Sequence, residues 1–302
     1  MLYKRRGVKL MTENKQPVII GIGELLWDML PSGKRAGGAP INFVYHATQM
    51  GADGYAVSAV GKDASGDEIL SELEKNGIKH CITRNDYPTG YVKVVLNNGI
   101  PSYDIVEDVA WDHLTVSPES VALVKTADAV CYGTLASRHA ESRAAVETLL
   151  SAAPDRALRF FDVNLRQNYY SRELIEELLG KANIFKINDD EIVVLKDLFG
   201  LTGEPDDVCR AFIDRFGLKY MIFTAGEKFS AIYTETQKSR LPTPKVDVAD
   251  TVGAGDSFSG AFVYNILTGK SLEQAHRSAV DTAAFVSTKS GAWPEYEGGS
   301  HD

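Results

Sequence analysis

The stretch Asp250-Thr251-Val252-Gly253-Ala254-Gly255-Asp256 decides how this chain is read. A glycine-rich turn runs straight into a segment of helical character, Gly255–Leu267. Glycine lets a backbone approach a ligand closely and tolerates unusual φ/ψ. The first turn of a helix leaves backbone N–H groups without intrahelical partners and carries partial positive charge. Together these features make an anion site suited to a phosphate. A carboxylate at Asp256, beside that site, can accept the proton of a hydroxyl attacking phosphorus. The amides from Gly253 through Ala254 and Gly255 would stabilise charge on the transferred group. Taken alone, Asp256 is equally well explained as a helix-start residue favoured by the dipole.

Upstream of this stretch, short apolar runs alternate with longer segments of helical period. Strands are predicted at Val18–Gly23, Tyr55–Val60, Ala127–Cys131, Leu158–Asp162, Ile184–Ile187 and Tyr220–Thr224. Helices are predicted at Pro40–Met50, Gly66–Asn76, Arg138–Ala152, Arg172–Leu179, Asp189–Leu198 and Asp206–Arg215. Such alternation implies βαβ units and a mostly parallel sheet covered on both faces, an α/β fold. Two regions break the rhythm: Ile78–Arg84 and Gly90–Val106 read as strands without intervening helices. Asn97-Asn98-Gly99 is a hairpin signal within the second. With Leu26–Leu30 they predict a small β appendage, serving as a lid, a dimer contact or a plain surface hairpin. A second strand pair is expected over Lys228–Leu241, turning at Gln237-Lys238, and a final helix at Ser271–Ser287.

Composition sets limits on function. The 302 residues are 44% apolar and 24% charged, enough for one main domain with a large core. A net charge of -9 argues against a nucleic-acid partner. Cys81, Cys131 and Cys209 are odd in number and widely spaced, which predicts inert thiols in a reducing, cytoplasmic setting. Residues 1–16 read as a flexible leader, with Met11 an alternative start. The apolar run Val18–Ile22 is far too short to span a bilayer, so no membrane partner is expected. His46, His113 and His139 show no ligand spacing and are expected in loops or on the surface.

Other segments carry chemistry of their own. Gly37-Gly38 before a helix leaves amides open to a ligand, and Asn42 offers both donor and acceptor to sugar-like hydroxyls. A tight strand-to-helix turn is the plainer alternative. Asp28 follows the first strand with a carboxylate able to accept from hydroxyls, whereas Glu24 is read as structural. Asn188 and Glu191 stand at i and i+3, suited to Mg²⁺ held through waters, or to a reciprocal helix cap. Lys186 could reach a phosphate or be solvated. Neither a P-loop nor a dinucleotide fingerprint is present in the sequence.

The string Asp250 to Phe258 resembles the C-terminal signature of the PfkB, or ribokinase-like, carbohydrate kinases. Gly37-Gly38-Ala39-Pro40-Ile41-Asn42, Gly51-Ala52 and Val60 to Asp67 resemble the N-terminal signature, in the right order and over roughly Val18 to Glu295. The resemblance implies a three-layer α/β/α sandwich over residues 17–302, with a β lid near 26–36 and 78–110. It implies an ATP-dependent sugar kinase using Mg²⁺, with Asp256 as base and Asp28, Gly37, Gly38 and Asn42 on the sugar. It places ATP along Lys186, Asn188, Glu191, Thr224, Gly226, Thr251 and Ala284. Small residues such as Ala284 also serve close helix packing. Many relatives bind a monovalent cation such as K⁺, here matched by Asp250, Val252 and Gly291.

Gly23 to Pro31, Pro88 to Val92, Pro101 to Ile105, Ala110-Trp111-Asp112 and Asp162 to Arg166 resemble the fructokinase branch. That likeness puts Tyr103 on the lid and Arg166 at the substrate. Separately, a lid with exposed strands is expected to support a homodimer. Kinases of 2-keto-3-deoxygluconate share much of this pattern, and nucleoside kinases share the fold. A sugar-binding regulator without catalysis is the alternative from another class.

Overall fold

The computed structural model describes residues 15–30, 33–97 and 100–296, without the side chains of 94–103. The expected leader, residues 1–16, lies outside the described residues except for its last two, and so does Met11. Strand β1 (Val18–Ile22) is third from one edge of a nine-stranded sheet. One flank holds β4 (Asp53–Gly61) and then β5 (Lys79–Asn85). The other holds β8 (Ala129–Gly133), β9 (Leu158–Asp162), β10 (Ile184–Asn188) and β11 (Tyr220–Ala225), all parallel. The antiparallel pair β12 (Phe229–Tyr233) and β13 (Lys238–Pro242) completes that edge.

The parallel strands are apolar on both faces, and period-2 geometry splits them between two cores. In β1, Ile20 and Ile22 join one cluster while Ile19 joins the other. Phe161 and Phe160 of β9 divide in the same way. The first core is covered by α3 (Pro118–Val124), α4 (Ala140–Ala152), α5 (Arg172–Leu179), α6 (Glu191–Phe199) and α7 (Pro205–Phe216). The second is covered by α1 (Ala39–Gln49), α2 (Ala64–Lys75), α8 (Ala254–Leu267) and α9 (Leu272–Ser287). This is the expected three-layer sandwich.

A separate four-stranded sheet has the order β3-β2-β6-β7. It comprises β2 (Leu26–Leu30), β3 (Gly33–Gly37), β6 (Gly90–Asn97) and β7 (Ile100–Ile105). Leu26, Val92 and Ile105 pack with Trp111 and Leu135 in a third small core beneath it. The expectation that 78–85 belongs to this appendage is corrected. That strand pairs in parallel with β4 as the edge of the large sheet, from Tyr55↔Lys79 to Gly61↔Asn85. The helix connecting them, α2, is an ordinary βαβ crossover. Two smaller differences have local causes. Leu135–Ser137 form a 3₁₀ turn, so the helix expected from Arg138 starts at Ala140. Lys238 opens β13 rather than sitting in the turn, which Thr234 and Gln237 close. Helix α3 was not read from the sequence, although Ser117 followed by Pro118 is a helix-start signal and Ser117 does cap Ser120.

Candidate active site

Strand order reverses about β1, and β9 and β10 bring Asp162 and Lys186 to the N-terminus of α8. Gly253 caps α8 with φ of 78°, and a Cβ there would lie 2.8 Å from Ala292. No other residue type meets both conditions without strain. The Ala254 N–H donates to the Thr251 carbonyl at 3.2 Å. The N–H groups of Gly255 and Asp256 belong to the first turn, whose donors have no intrahelical acceptor.

Asp256 is half-buried, and its Oδ2 accepts from the Asn42 Nδ2 at 2.8 Å. Desolvation raises its pKa to about 6, with nearby Asp162 adding to the rise; Asn42, Lys186 and Arg166 oppose it. The carboxylate is therefore tuned toward the range where a general base works near neutral pH. Asn42 spans the site, because its Oδ1 accepts from the Trp293 Nε1 at 2.8 Å. That bond fixes which end of the amide faces Asp256. Trp293 was not singled out from sequence, and the two residues lie 251 positions apart.

Gly37 is the bare floor between two polar groups. A Cβ on it would stand 2.8 Å from Asp28 Oδ2 and 3.9 Å from Asn42 Oδ1. Gly38 has φ of 120° and presses against the Glu24 carbonyl, where a Cβ would come within 2.0 Å. The tight strand-to-helix turn and the open cradle thus coexist. Burial raises the Asp28 pKa to about 6, opposed by Arg166. Glu24 is buried at 2% exposure, with its Oε2 unpartnered among the described residues, and burial lifts its pKa to about 7. The nearby Asp256 charge adds to that rise. Arg166 follows Asn164 (φ 40°) and precedes Gln167 (φ 46°), two non-glycine residues in left-handed conformations. The small sheet reaches the segment after α9 through Arg35, whose Nη1 donates to the Ser290 carbonyl at 2.6 Å. Tyr103 lies on β7 where side chains fall outside the described residues.

Beneath the helix start, Lys186 is buried and donates to Asp162 Oδ2 at 2.7 Å. A Cβ on Gly255 would be 3.4 Å from its Nζ. Burial pulls the Lys186 pKa down, but Asp162 and Glu191 hold it above its ordinary value. Lys186 is thus neither solvated nor free; it is a fixed charge below the N-terminus of α8. Asn188 and Glu191 form the reciprocal cap. Asn188 Oδ1 accepts from the Glu191 N–H at 2.8 Å, and Glu191 Oε2 from the Asn188 N–H at 2.8 Å. Glu191 Oε1 also accepts from the Leu165 N–H at 3.1 Å, which anchors the Arg166 loop. Asp250 gathers the expected cation positions, its Oδ1 accepting from Val252 at 3.0 Å and its Oδ2 from Gly291 at 3.1 Å. Thr224 is the penultimate residue of β11, Gly226 forms the next turn with φ of 50°, and Ala284 lies half-buried on α9. The histidine expectation is corrected: His46 and His113 are buried, at 0% and 7% exposure, because packing rather than spacing decides their surroundings.

The chain matches the pfkB family carbohydrate kinases over residues 32–296 and belongs to that family. Its fold is ribokinase-like. Fructokinase-2 of Oryza sativa subsp. japonica is 28% identical over 306 residues, covering 92% of this chain and 90% of that protein. An ATP-dependent 6-phosphofructokinase of Thermoanaerobacterium thermosaccharolyticum is 26% identical over 295 residues, covering 92% and 90%. The crystal structure of an uncharacterized sugar kinase from Pyrococcus horikoshii in complex with ATP aligns with a TM-score of 0.74 at 27% identity, covering 91% of this chain and 94% of that one. No described helix is long and apolar enough to cross a membrane.

Proposed function

We propose that this protein is a fructokinase, moving the γ-phosphoryl group of ATP to the 6-hydroxyl of fructose. The observation that carries the reading is Asn42, which hydrogen-bonds the base Asp256 while flanking the same glycine floor as Asp28. A sugar held by Asp28, Asn42 and the Gly37-Gly38 backbone thereby has a hydroxyl within reach of Asp256. As that oxygen bonds to phosphorus, its proton passes to the Asp256 carboxylate and the bond to the leaving diphosphate breaks. The N–H groups of Gly255 and Asp256, with Lys186 beneath, hold the growing charge. The small sheet, latched by Arg35 to Ser290, excludes water from the transfer.

The nucleotide would run from the α8 N-terminus toward Thr224, Gly226 and Ala284, past Thr251. Mg²⁺ would supply charge neutralisation at the phosphates. Asn188 and Glu191 already cap a helix, so they would reach the ion only through waters. Asp162 fits the same role, because its buried Oδ1 has no partner among the described residues. A monovalent cation would be held by main-chain oxygens of Asp250, Val252 and Gly291. A homodimer through the small sheet, where Met29 is 44% exposed, belongs to the same proposal.

Arg166 favours a second reading. Its guanidinium acts on Asp28, Asp256 and Glu24 together, as a partner for the carboxylate of 2-keto-3-deoxygluconate would. ADP release with ATP and Mg²⁺ should be compared across fructose, fructose 6-phosphate, ketodeoxygluconate, ribose and adenosine. Fructose is expected to show the highest kcat/KM. Preference for ketodeoxygluconate would replace the assignment, and no ADP release with any acceptor would favour a non-catalytic sugar binder.

A further inference from the structure

Away from the active site, two histidines and a glutamate meet where the loop after the small sheet joins the start of α4. His113 ends the 3₁₀ turn Ala110–His113, His139 precedes the first turn of α4, and Glu141 lies within that turn. One ligand atom from each lies within 4.8 Å of the other two. The rings of His113 and His139 have centroids 4.6 Å apart, and Tyr87 stacks on His113 at 3.5 Å.

Three features distinguish this from a chance grouping. The His139 Nδ1 is buried and has no hydrogen-bond partner among the described residues, nor does its side chain cap α4. His113 is gripped at both nitrogens, with Nε2 2.8 Å from Asp108 Oδ1 and Nδ1 2.8 Å from Glu141 Oε2. Metal-binding imidazoles characteristically donate the far N–H to a carboxylate, which fixes the tautomer and leaves the near nitrogen basic. Asp108 occupies that far position. The neighbouring cation, Arg138, is paired with Asp112 at 2.7 and 2.8 Å, while its buried Nη1 has no hydrogen-bond partner among the described residues.

We propose that His113 Nδ1, His139 and Glu141 bind a divalent transition metal of the zinc class, with Asp108 orienting His113 from behind. Two imidazoles and one carboxylate suit Zn²⁺, Co²⁺ or Ni²⁺ and are poorly matched to Mg²⁺ or Ca²⁺, which take oxygen ligands. Three protein ligands leave a further position for water. Occupancy ties His113, and through it the Asp108 loop that follows β7, to α4 of the large layer. The site is therefore placed to stiffen the base on which the small sheet stands.

The test is a Co²⁺ titration of the full chain in excess Mg²⁺, read by visible d–d absorption and followed by displacement with Zn²⁺. Wild-type protein should take up a single equivalent with the intense bands of a low-coordinate nitrogen–oxygen site. His139→Ala and Glu141→Gln, both outside the buried core, should each weaken binding by about ten-fold or more, and Asp108→Asn should weaken it by a similar factor through His113. Asp256→Asn should leave the titration unchanged. Absence of uptake, a His139→Ala titration equal to wild type, or loss of the bands in Asp256→Asn would each overturn the proposal. Circular dichroism of each variant confirms that the fold is intact.

Discussion

The two ends of the proposed active site are built in different ways. The phosphoryl end is one uninterrupted turn, Asp250 to Asp256, and its chemistry comes largely from backbone: a left-handed glycine, a helix start and one carboxylate. The sugar end is assembled from Asp28 on β2, Gly37 at the end of β3, Asn42 on α1 and Trp293 near the C-terminus. The first can be carried by a short string because adjacent peptide groups are already in register. The second depends on four segments meeting, so small changes in packing alter what it accepts. On the proposed assignment, transfer chemistry is the robust property and substrate choice the adjustable one.

Substitutions at the two ends should separate these properties. Asp256→Asn is expected to have the largest effect, lowering kcat by about 10²–10⁴-fold, the usual worth of a general base. Sugar affinity measured by calorimetry should stay within a few-fold of wild type. Near-normal turnover would remove Asp256 from its role. The same carboxylate sets a pH limit. With a pKa of about 6 it must be ionised to act, so kcat should fall as pH drops below about 6. A profile flat down to pH 5 would contradict that.

Asp28→Asn should act mainly on KM, raising it by about 10- to 100-fold through loss of a charge-assisted bond worth roughly 1.5–3 kcal/mol. If kcat collapses instead with KM unchanged, the distinction between the two ends fails. Glu24→Gln probes the wall they share. Glu24 titrates at about 7 when folded against an ordinary 4.5, so the folded state holds the extra proton between those values. Wild-type stability should therefore fall as pH rises through that window and stay lower above it. Glutamine cannot ionise, so relative to wild type it should gain on the order of 1–3 kcal/mol between pH 4 and pH 8. Urea unfolding at both pH values reads this directly, and an equal ΔΔG at the two would refute it. The smallest effect is expected from Trp293→Phe. It removes one hydrogen bond to Asn42, about 0.5–1.5 kcal/mol, and should lower kcat/KM by roughly three- to ten-fold. No change would mean that Asn42 is oriented by other means.

Much of the fold follows from local pattern. Leu158–Asp162 and Arg172–Leu179 occur where periodicity puts them, since strand and helix periods are properties of consecutive residues. The segment 78–85 was legible as a strand but not as part of the large sheet. Its membership depends on pairing with β4 across α2, a partner that no local pattern names. The same limit hid Trp293 and the grouping of His113 with His139 and Glu141, because sequence distance says nothing about which side chains a packed core brings together.

By itself the sequence determined the alternating α/β layers and the family, and it singled out Asp256, with its glycine turn, as the proposed base. These rest on period, on φ/ψ tolerance and on chemistry within a few consecutive residues. Only the tertiary structure decided that Asn42 joins Asp256 to Trp293, that Lys186 is a buried charge paired with Asp162, and that Glu24, Asp28 and Asp256 are held well above their ordinary pKa values. Desolvation and charge proximity depend on what surrounds a group in space, and those surroundings exist only once the chain has folded.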